Sequence, residues 1–274
     1  MRPAFPWIVA ALFLTAGWPI YAGEAPASTR PPLLDAAFQA FLDGQQRWAY
    51  TQTTTYPRAD GSPAPESVVR TDPSQPYDRQ SVPLVINGQP PTEKQRLDWA
   101  KQSEKRAQRR LQAGEEAAAA AASDQGFRLR LINREVRLRL EAAKVVAEDE
   151  ASVTYEIPLQ ELGGPDAALA DDHQLTARVN RARRQFEHAT IRQTKLVRIA
   201  AGKYSDGLTE IEFATPDPQY PSVPARLTST STNKPLFGPA HTSASRSERK
   251  DFKRVTPYDE RFKVKLAPLN LLEF

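Results

Sequence analysis

The sequence contains no cysteine among its 274 residues. Disulfide bonds and thiolate metal ligands are therefore excluded, and so is a lipid-modified N-terminal cysteine. Small exported domains use disulfides to compensate for a thin core, but a chain of this length can bury enough apolar surface without them. The absence of cysteine is thus compatible with export of the protein as one large domain.

No apolar run reaches the roughly 20 residues that a membrane-spanning helix needs. Arg2 gives the start of the chain a positive charge, the short apolar run Trp7–Gly17 follows, and Pro19 ends this apolar region. This arrangement is typical of a signal peptide over residues 1–22. We expect cleavage after Ala22 and a periplasmic or secreted protein without a stable membrane span. An uncleaved N-terminal anchor is the alternative, and the shortness of the apolar run argues against it.

Histidine is scarce, and His173, His188 and His241 lie too far apart for metal-ligand spacing. Glycine-rich phosphate-binding loops are absent as well, so we expect no metal and no cofactor. Two S-x-x-K strings occur, Ser231–Lys234 and Ser247–Lys250, without the partner motifs that penicillin-recognising enzymes use. The sequence therefore predicts a protein that is not an enzyme, with a hydrolase on the same scaffold as the alternative.

The charge balance is modest, with 37 basic and 33 acidic residues. Charges of both signs are interleaved, and no aromatic and basic platform for RNA is present. We therefore expect no nucleic-acid partner. The alternating segments FRLRL and VRLRL allow either an anion-binding arginine stripe or two strands with a solvated outer face, and we favour the second interpretation.

After a Pro-rich lead-in at residues 23–32, expected to be disordered, residues 33–274 form one predicted domain. Apolar residues from Leu33 to Leu42 repeat at helical spacing, and Gly44 ends this helix. The apolar period then changes to two, which predicts strands in RWAYTQTTTY, SVVRTD, VPLVING, FRLRL, VRLRL, KVVAEDEASVTYEIPL (a hairpin), TARVN, HATIRQTKLVRI, GLTEIEFA, VPARLTSTSTN, ERKDFKRV and RFKVKL. So many short strands predict an α+β fold: a strongly curved antiparallel sheet, unclosed and half-barrel-like, with helices covering one side.

The third strand leads into a turn and a second helix. Asn87-Gly88 predicts a tight turn with positive φ at Gly88. Thr92 stands three residues before Gln95, the spacing of a capping box, so this helix should begin at Glu93.

The second helix has only a thin apolar stripe. This pattern predicts a surface helix that packs by one edge near Leu97 and Trp99. The Ala-rich, low-complexity insertion near residues 113–124 either prolongs this helix or lies in solvent.

A set of motifs carries a family resemblance: a Trp-x-Tyr strand, an Arg-x-Asp-Pro strand end, and an Asn-Gly turn that leads through Pro-Thr into a charged helix. Their residues are Trp48, Tyr50, Arg70, Asp72, Pro73, Leu84, Asn87, Gly88, Pro91 and Thr92. This pattern resembles uncharacterised secreted bacterial proteins that are distantly similar to the LolA/LolB lipoprotein-carrier fold. The resemblance implies an unclosed barrel whose helical lid and apolar concavity hold acyl chains. The chain departs from LolB in lacking a lipid-anchored cysteine.

These features predict a non-enzymatic periplasmic protein that binds a lipid or acyl chain. Strand alternation selects the inward, ligand-binding candidates: Trp48, Tyr50, Val153, Tyr155, Ile211, Phe213, Phe262, Val264 and Leu266. An ordinary filled core is the alternative, because alternation alone does not distinguish a packed interior from a lined cavity. A further alternative is an interaction protein of an envelope complex, with Leu271, Leu272 and Phe274 as a small apolar patch.

Overall fold

A computed structural model describes residues 30–45, 47–57, 66–120, 128–131, 134–161, 173–195, 197–199, 202–235 and 240–262. These segments contain the helices α1 (Pro32–Gln45), α2 (Glu93–Ala120) and α3 (Tyr258–Phe262). They also contain the strands β1 (Trp48–Thr55), β2 (Glu66–Thr71), β3 (Ser81–Val85), β4 (Arg128–Leu131), β5 (Arg134–Leu138), β6 (Lys144–Glu148), β7 (Ser152–Ile157), β8 (Leu159–Glu161), β9 (His173–Asn180), β10 (Gln185–Gln193), β11 (Val197–Ile199), β12 (Gly202–Ala214), β13 (Val223–Pro235) and β14 (His241–Arg254).

Ten strands form one antiparallel sheet in the order β3-β2-β1-β14-β13-β12-β10-β9-β7-β6, and β11 pairs with β12 beside this path. The strands β4, β5 and β8 form a separate small sheet. The large sheet is curved and does not close into a barrel, since β3 and β6 lie at its two edges. The predicted α+β class with an unclosed antiparallel sheet is confirmed.

Helix α1 covers the part of the sheet built by β7, β9, β10 and β12. Its buried face carries Leu34, Ala37, Phe38 and Phe41 at helical spacing. The Phe38 ring meets Phe186 of β10 edge-on, with ring centroids 4.8 Å apart. The helix ends one residue after Gly44, as the sequence predicts.

The sheet face beneath α1 is a continuous row of buried side chains. The strand register joins Tyr155 to Ala177, Ala177 to Ala189, and Ala189 to Ile211. All four are buried and belong to one cluster with α1. The alternation of apolar residues in these strands therefore places one face of the sheet against the helix.

The same row changes character where it reaches β13, β14 and β1. It continues from Ile211 through Leu227 to Ser247 and Thr54. The hydroxyls of Thr54 and Ser247 lie 2.9 Å apart and hydrogen-bond across the strands. Most side chains here are half-buried, and many of them are serine or threonine. This part of the sheet therefore carries hydroxyl groups instead of a packed apolar core.

Several predicted elements are confirmed, and one is corrected. The hairpin of β6 and β7 is present, and the carboxylate of Asp149 accepts hydrogen bonds from the amides of Ala151 and Ser152 in its turn. The segment RFKVKL was predicted as a strand, but its first two residues end α3. Pro257 before the helix and Asp259 and Glu260 in its first turn are helix-start signals that outweigh the short alternation.

The remaining residues of that segment, 263–266, lie outside the described residues. Of the helices in the described part of the chain, none combines the length and apolar composition needed to cross a bilayer.

Candidate functional site

A groove of about 570 Å³ lies between the edge strand β3 and the first turns of α2. This volume is in the range of small-molecule binding sites. Apolar side chains provide most of its lining, which consists of Asp78, Arg79, Ser81, Val82, Pro83, Leu84, Pro90, Pro91, Arg96, Trp99 and Ala100. The groove is therefore an apolar surface with charged groups at its margin.

A tight turn connects β3 to the far wall of the groove. Asn87 and Gly88 have φ values of 53° and 78°, so both central residues are left-handed, as a type I′ turn requires. The turn is closed by hydrogen bonds in both directions between the backbones of Ile86 and Gln89, at 2.8 and 3.2 Å. The predicted turn with positive φ at Gly88 is confirmed.

Helix α2 begins at Glu93 with the predicted capping box. The Gln95 amide donates to the Thr92 hydroxyl at 3.3 Å, and the Thr92 amide donates to the Gln95 side-chain oxygen at 2.8 Å. Pro91 is buried just before this cap. Because a proline cannot extend the sheet, the chain turns away from β3 here and leaves a gap between strand and helix.

Trp99 fixes the distance between α2 and β3. Its indole N–H donates a hydrogen bond of 2.9 Å to the backbone carbonyl of Ser81. One turn later Ser103 is buried, and its hydroxyl accepts a 2.7 Å hydrogen bond from Arg106, whose guanidinium also lies over the Trp99 ring. The helix thus contacts the strand through Trp99, and the small polar Ser103 is buried one turn further on.

Leu97 was predicted to pack near the sheet together with Trp99. This prediction is wrong for Leu97, because 54% of the residue is exposed. The inward stripe runs through Gln95, Trp99 and Ser103, four residues apart, and Leu97 points elsewhere. Helical geometry allows only one of Leu97 and Trp99 to face the sheet, and the larger aromatic ring with its hydrogen-bond donor takes that position.

The loop between β2 and β3 forms the other end of the groove and is held rigidly. The Asp72 carboxylate accepts hydrogen bonds from the Ser74 amide and hydroxyl at 3.0 and 2.6 Å. Burial alone would raise the pKa of Asp72, but these hydrogen bonds outweigh it and lower the pKa below its ordinary value. Helix α3 braces the loop, since the Tyr258 amide donates to the Pro73 carbonyl and its ring packs on Tyr77.

Three charged residues stand at the margin of the groove: Asp78, Arg79 and Arg96. Arg79 and Asp78 form an ion pair at 3.6 Å between exposed side chains. Arg96 follows the capping box on the groove side of α2. The margin therefore carries one positive charge beyond the Asp78–Arg79 pair.

Four of the nine residues predicted to bind ligand lie under α1. Val153, Tyr155 and Ile211 are buried members of its core cluster, and Phe213 packs against that cluster. Burial raises the pKa of the Tyr155 phenol. Contact with α1 favours the filled-core alternative for these four residues over an open cavity.

Trp48 and Tyr50 lie in a different place, among aromatic and arginine side chains. The Trp48 ring contacts Tyr220 and Phe252 edge-on, and the guanidinium of Arg254 lies over both Trp48 and Tyr220. Burial, and then repulsion by Arg47, lowers the pKa of Arg254.

Tyr50 stacks under Arg249 at 4.6 Å, and Arg249 also donates to the Gln52 side chain. The structure therefore does not bring Trp48 and Tyr50 together with Val153. Of the other three candidates, Phe262 is the last residue of α3, and Val264 and Leu266 lie outside the described residues.

Some of the residues weighed from the sequence for catalysis or anion binding make ordinary contacts in the structure. Ser247 and Lys250 lie three apart on β14, hence on opposite faces, and bond to Thr54 and Glu248 respectively. Arg139 pairs with Glu141 at 3.2 Å, while the side chains of the other arginines of that stripe lie outside the described residues. Within the described segments no group of three His, Cys, Asp or Glu side chains could hold a metal ion.

The groove residues Val82, Pro83 and Leu84 were not selected as a site from the sequence. One signal was present: a proline inside the apolar run VPLV marks an edge strand, because proline cannot donate to a sheet ladder. Apolar residues on an edge strand are only half covered, and Val82 and Leu84 are 49% and 46% exposed.

No protein-family model, curated protein or solved structure matches this chain.

Proposed function

We propose that the protein is a non-enzymatic binding protein for a lipid or other apolar ligand, which lies in the groove between β3 and α2. The observation that carries the proposal is the groove itself: a space of about 570 Å³ lined mainly by apolar side chains and open to solvent. Exposed apolar residues gathered in one concave place, instead of scattered singly, are typical of ligand or partner sites.

The lining favours an apolar chain over an extended peptide. A peptide that adds to a sheet edge needs free backbone donors and acceptors on that edge. At β3, Pro83 has no N–H, and the carbonyl of Ser81 already accepts the Trp99 indole. Pro90 and Pro91 in the opposite wall add no N–H donors either. A ligand without hydrogen-bonding groups along its length, such as an acyl chain, suits these walls.

Burial of such a chain supplies the affinity. Each methylene removed from water contributes about 0.8 kcal/mol, before the cost of immobilising the ligand. The indole ring of Trp99 and the side chains of Val82 and Leu84 offer the contact surface. The guanidinium of Arg96 at the margin suits a ligand with an anionic end, which would remain in water.

The resemblance to LolA/LolB carriers supports the same class of ligand, and the unclosed curved sheet agrees with that layout. The groove differs in position from the concavity that the resemblance implies. In this protein α1 fills the sheet face between β7 and β12 with large side chains. We therefore propose that the ligand lies at the sheet edge, between β3 and α2. The predicted signal peptide supports the proposal that the protein itself lies in the periplasm or outside the cell.

Displacement of a fluorescent fatty acid tests the proposal. The unmodified protein should bind the probe in a saturable manner and release it to unlabelled fatty acid. Val82→Glu introduces a carboxylate into the apolar wall and should weaken binding at least about tenfold, because the charge loses hydration when the ligand covers it. The expected effect on stability is small, since Val82 is half exposed on an edge strand.

A matched control is available on the opposite edge of the sheet. Val146 of β6 is 51% exposed, close to the 49% of Val82. Val146→Glu should leave fatty-acid binding unchanged. Equal loss in both variants would mean that a general surface effect governs binding. Absence of saturable binding to the unmodified protein would contradict the proposal and leave the hydrolase and envelope-interaction alternatives.

A further inference from the structure

Arg96 is an exposed cation in the lining of the groove, three residues before Trp99 on α2. Within the described part of the chain, its guanidinium has no hydrogen-bond acceptor and no carboxylate at ion-pair distance. The second arginine of the lining, Arg79, is already paired with Asp78 at 3.6 Å. An anion in the groove would therefore meet one arginine that is free to bind it.

The position of Arg96 does not help α2 to form. It is the fourth residue of the helix, and its amide donates to the Thr92 carbonyl in the first turn. At this end of a helix a cation adds to the positive partial charge of the backbone amides instead of offsetting it. Glu93, the acidic residue of that turn, does not line the groove. The groove therefore has a positive potential at its α2 wall that an anionic ligand would offset.

The groove combines this charge with an apolar surface. Pro91, Trp99 and Ala100 share the wall that carries Arg96. A small inorganic anion gains little from these side chains, and an uncharged hydrocarbon gains nothing from the guanidinium. A molecule that joins an anionic head group to an alkyl chain uses both.

We propose that the ligand of the groove is an ionised fatty acid, whose carboxylate binds the guanidinium of Arg96 while its alkyl chain lies along the apolar walls. This inference rests on the proposed function and names the chemical class of its ligand. The guanidinium presents parallel N–H donors that match the two oxygens of a carboxylate. Because Arg96 is exposed, the head group stays at the margin in contact with water, and salt should weaken its recognition.

Competition against an uncharged fluorescent probe, N-phenylnaphthylamine, tests this inference separately from the proposed function. Binding of the probe reports an apolar site without the help of Arg96. Dodecanoate and dodecanol are matched competitors that share a chain length and differ in head group. In low-salt buffer, Arg96→Gln should weaken displacement by dodecanoate about fivefold and displacement by dodecanol less than about twofold, since only the carboxylate loses a charge-assisted hydrogen bond.

Two further variants identify the source of the effect. Lys101→Gln removes the same charge from an exposed position of α2 that does not line the groove, and it should leave both competitors unchanged. Arg96→Lys keeps the charge without the paired donors and should recover part of the dodecanoate affinity.

The possible outcomes distinguish the two proposals. If the unmodified protein binds the probe but Arg96→Gln weakens both competitors equally or neither, the inference is overturned and the proposed function stands. A loss in Lys101→Gln as large as that in Arg96→Gln also overturns the inference, because general surface charge would then govern binding. If neither the probe nor dodecanoate binds the unmodified protein, the proposed function and the inference are overturned together.

Discussion

Two helices lie against the sheet, and they meet it in opposite ways. Helix α1 presents Leu34, Phe38 and Phe41, whose side chains fill the space over β10 and β12. Helix α2 presents Trp99 and the small Ser103, and a groove of about 570 Å³ remains beside it. A continuous apolar face under α1 thus forms a core, whereas α2 contacts β3 through Trp99 and leaves a groove beside it.

The difference arises from local sequence. Over α1, apolar residues recur every three or four positions, so a broad stripe enters the core. In the first turns of α2, the residues between Thr92 and Trp99 are polar except Leu97, which faces solvent. Proline residues on both walls then keep backbone donors out of the groove. We draw from this comparison that α1 stabilises the fold and that α2 borders the proposed site.

The largest effect should come from truncation under α1. Phe38→Ala removes a buried ring that packs edge-on against Phe186 and should lower the free energy of unfolding by about 3–5 kcal/mol. Leu84→Ala in the groove wall should change it by less than about 0.5 kcal/mol, because Leu84 is half exposed. Urea denaturation of both variants provides the measurement. Comparable losses would mean that the groove wall is part of the core.

A larger side chain should have different effects in the core under α1 and in the groove beside α2. Val153→Trp overpacks the cluster under α1 and should destabilise the protein by roughly 1–3 kcal/mol. Val82→Trp fills the groove instead, and it should weaken fatty-acid binding while the melting temperature stays near that of the unmodified protein. A Val153→Trp variant that keeps its stability but loses the ligand would place an open cavity under α1 and break the comparison.

The cap of α2 should contribute less to the free energy of unfolding than the packing under α1. Thr92→Ala removes the hydroxyl that accepts the Gln95 amide and should cost roughly 0.5–2 kcal/mol. Thr92→Ser keeps the acceptor and should behave like the unmodified protein. Thermal melting monitored by circular dichroism distinguishes them. If Thr92→Ala has the same melting temperature as the unmodified protein, the capping box does not stabilise the first turn of α2.

The smallest expected effect is the part of the stability lost in acid that Glu187 causes. This residue of β10 accepts a hydrogen bond from Ser152 of β7. Burial alone would raise the pKa of Glu187, but hydrogen bonds from Asn180, Ser152 and Arg178 lower it below the ordinary value. A lowered folded-state pKa gives stability that is present above the unfolded pKa of about 4.5 and is lost as pH falls through the folded pKa.

Since Glu187 is partly exposed, we expect a contribution below about 1 kcal/mol. Glu187→Gln should therefore show a smaller loss of stability between neutral pH and pH 3 than the unmodified protein, measured by urea denaturation at each pH. An identical pH dependence in the two proteins would remove Glu187 as its source.

The sequence predicts the elements well wherever the signal is local. The Asn87-Gly88 turn and the Thr92 cap follow from the conformations that those residue types adopt, and the strand alternation around Val153 and Tyr155 follows from a two-residue period. The signal peptide, by contrast, stays a prediction.

The site could not be predicted in the same manner, because it depends on long-range choices. Alternation selects Trp48 and Val153 equally, and only the pairing of distant strands separates them into different clusters. Rotation of α2 decides that Trp99 rather than Leu97 meets β3, and that rotation follows from a hydrogen bond to Ser81, which no local pattern encodes.

Tryptophan quenching by a bromine-substituted fatty acid tests the proposed site most directly. A chain that begins at Gly23 contains two tryptophans, Trp48 in an aromatic cluster and Trp99 in the groove. We predict saturable quenching in Trp48→Phe, where Trp99 alone emits, and none in Trp99→Phe, where Trp48 alone emits. Quenching of Trp48 without Trp99 would place the ligand away from the groove, and quenching of neither at saturating ligand would contradict a bound acyl chain.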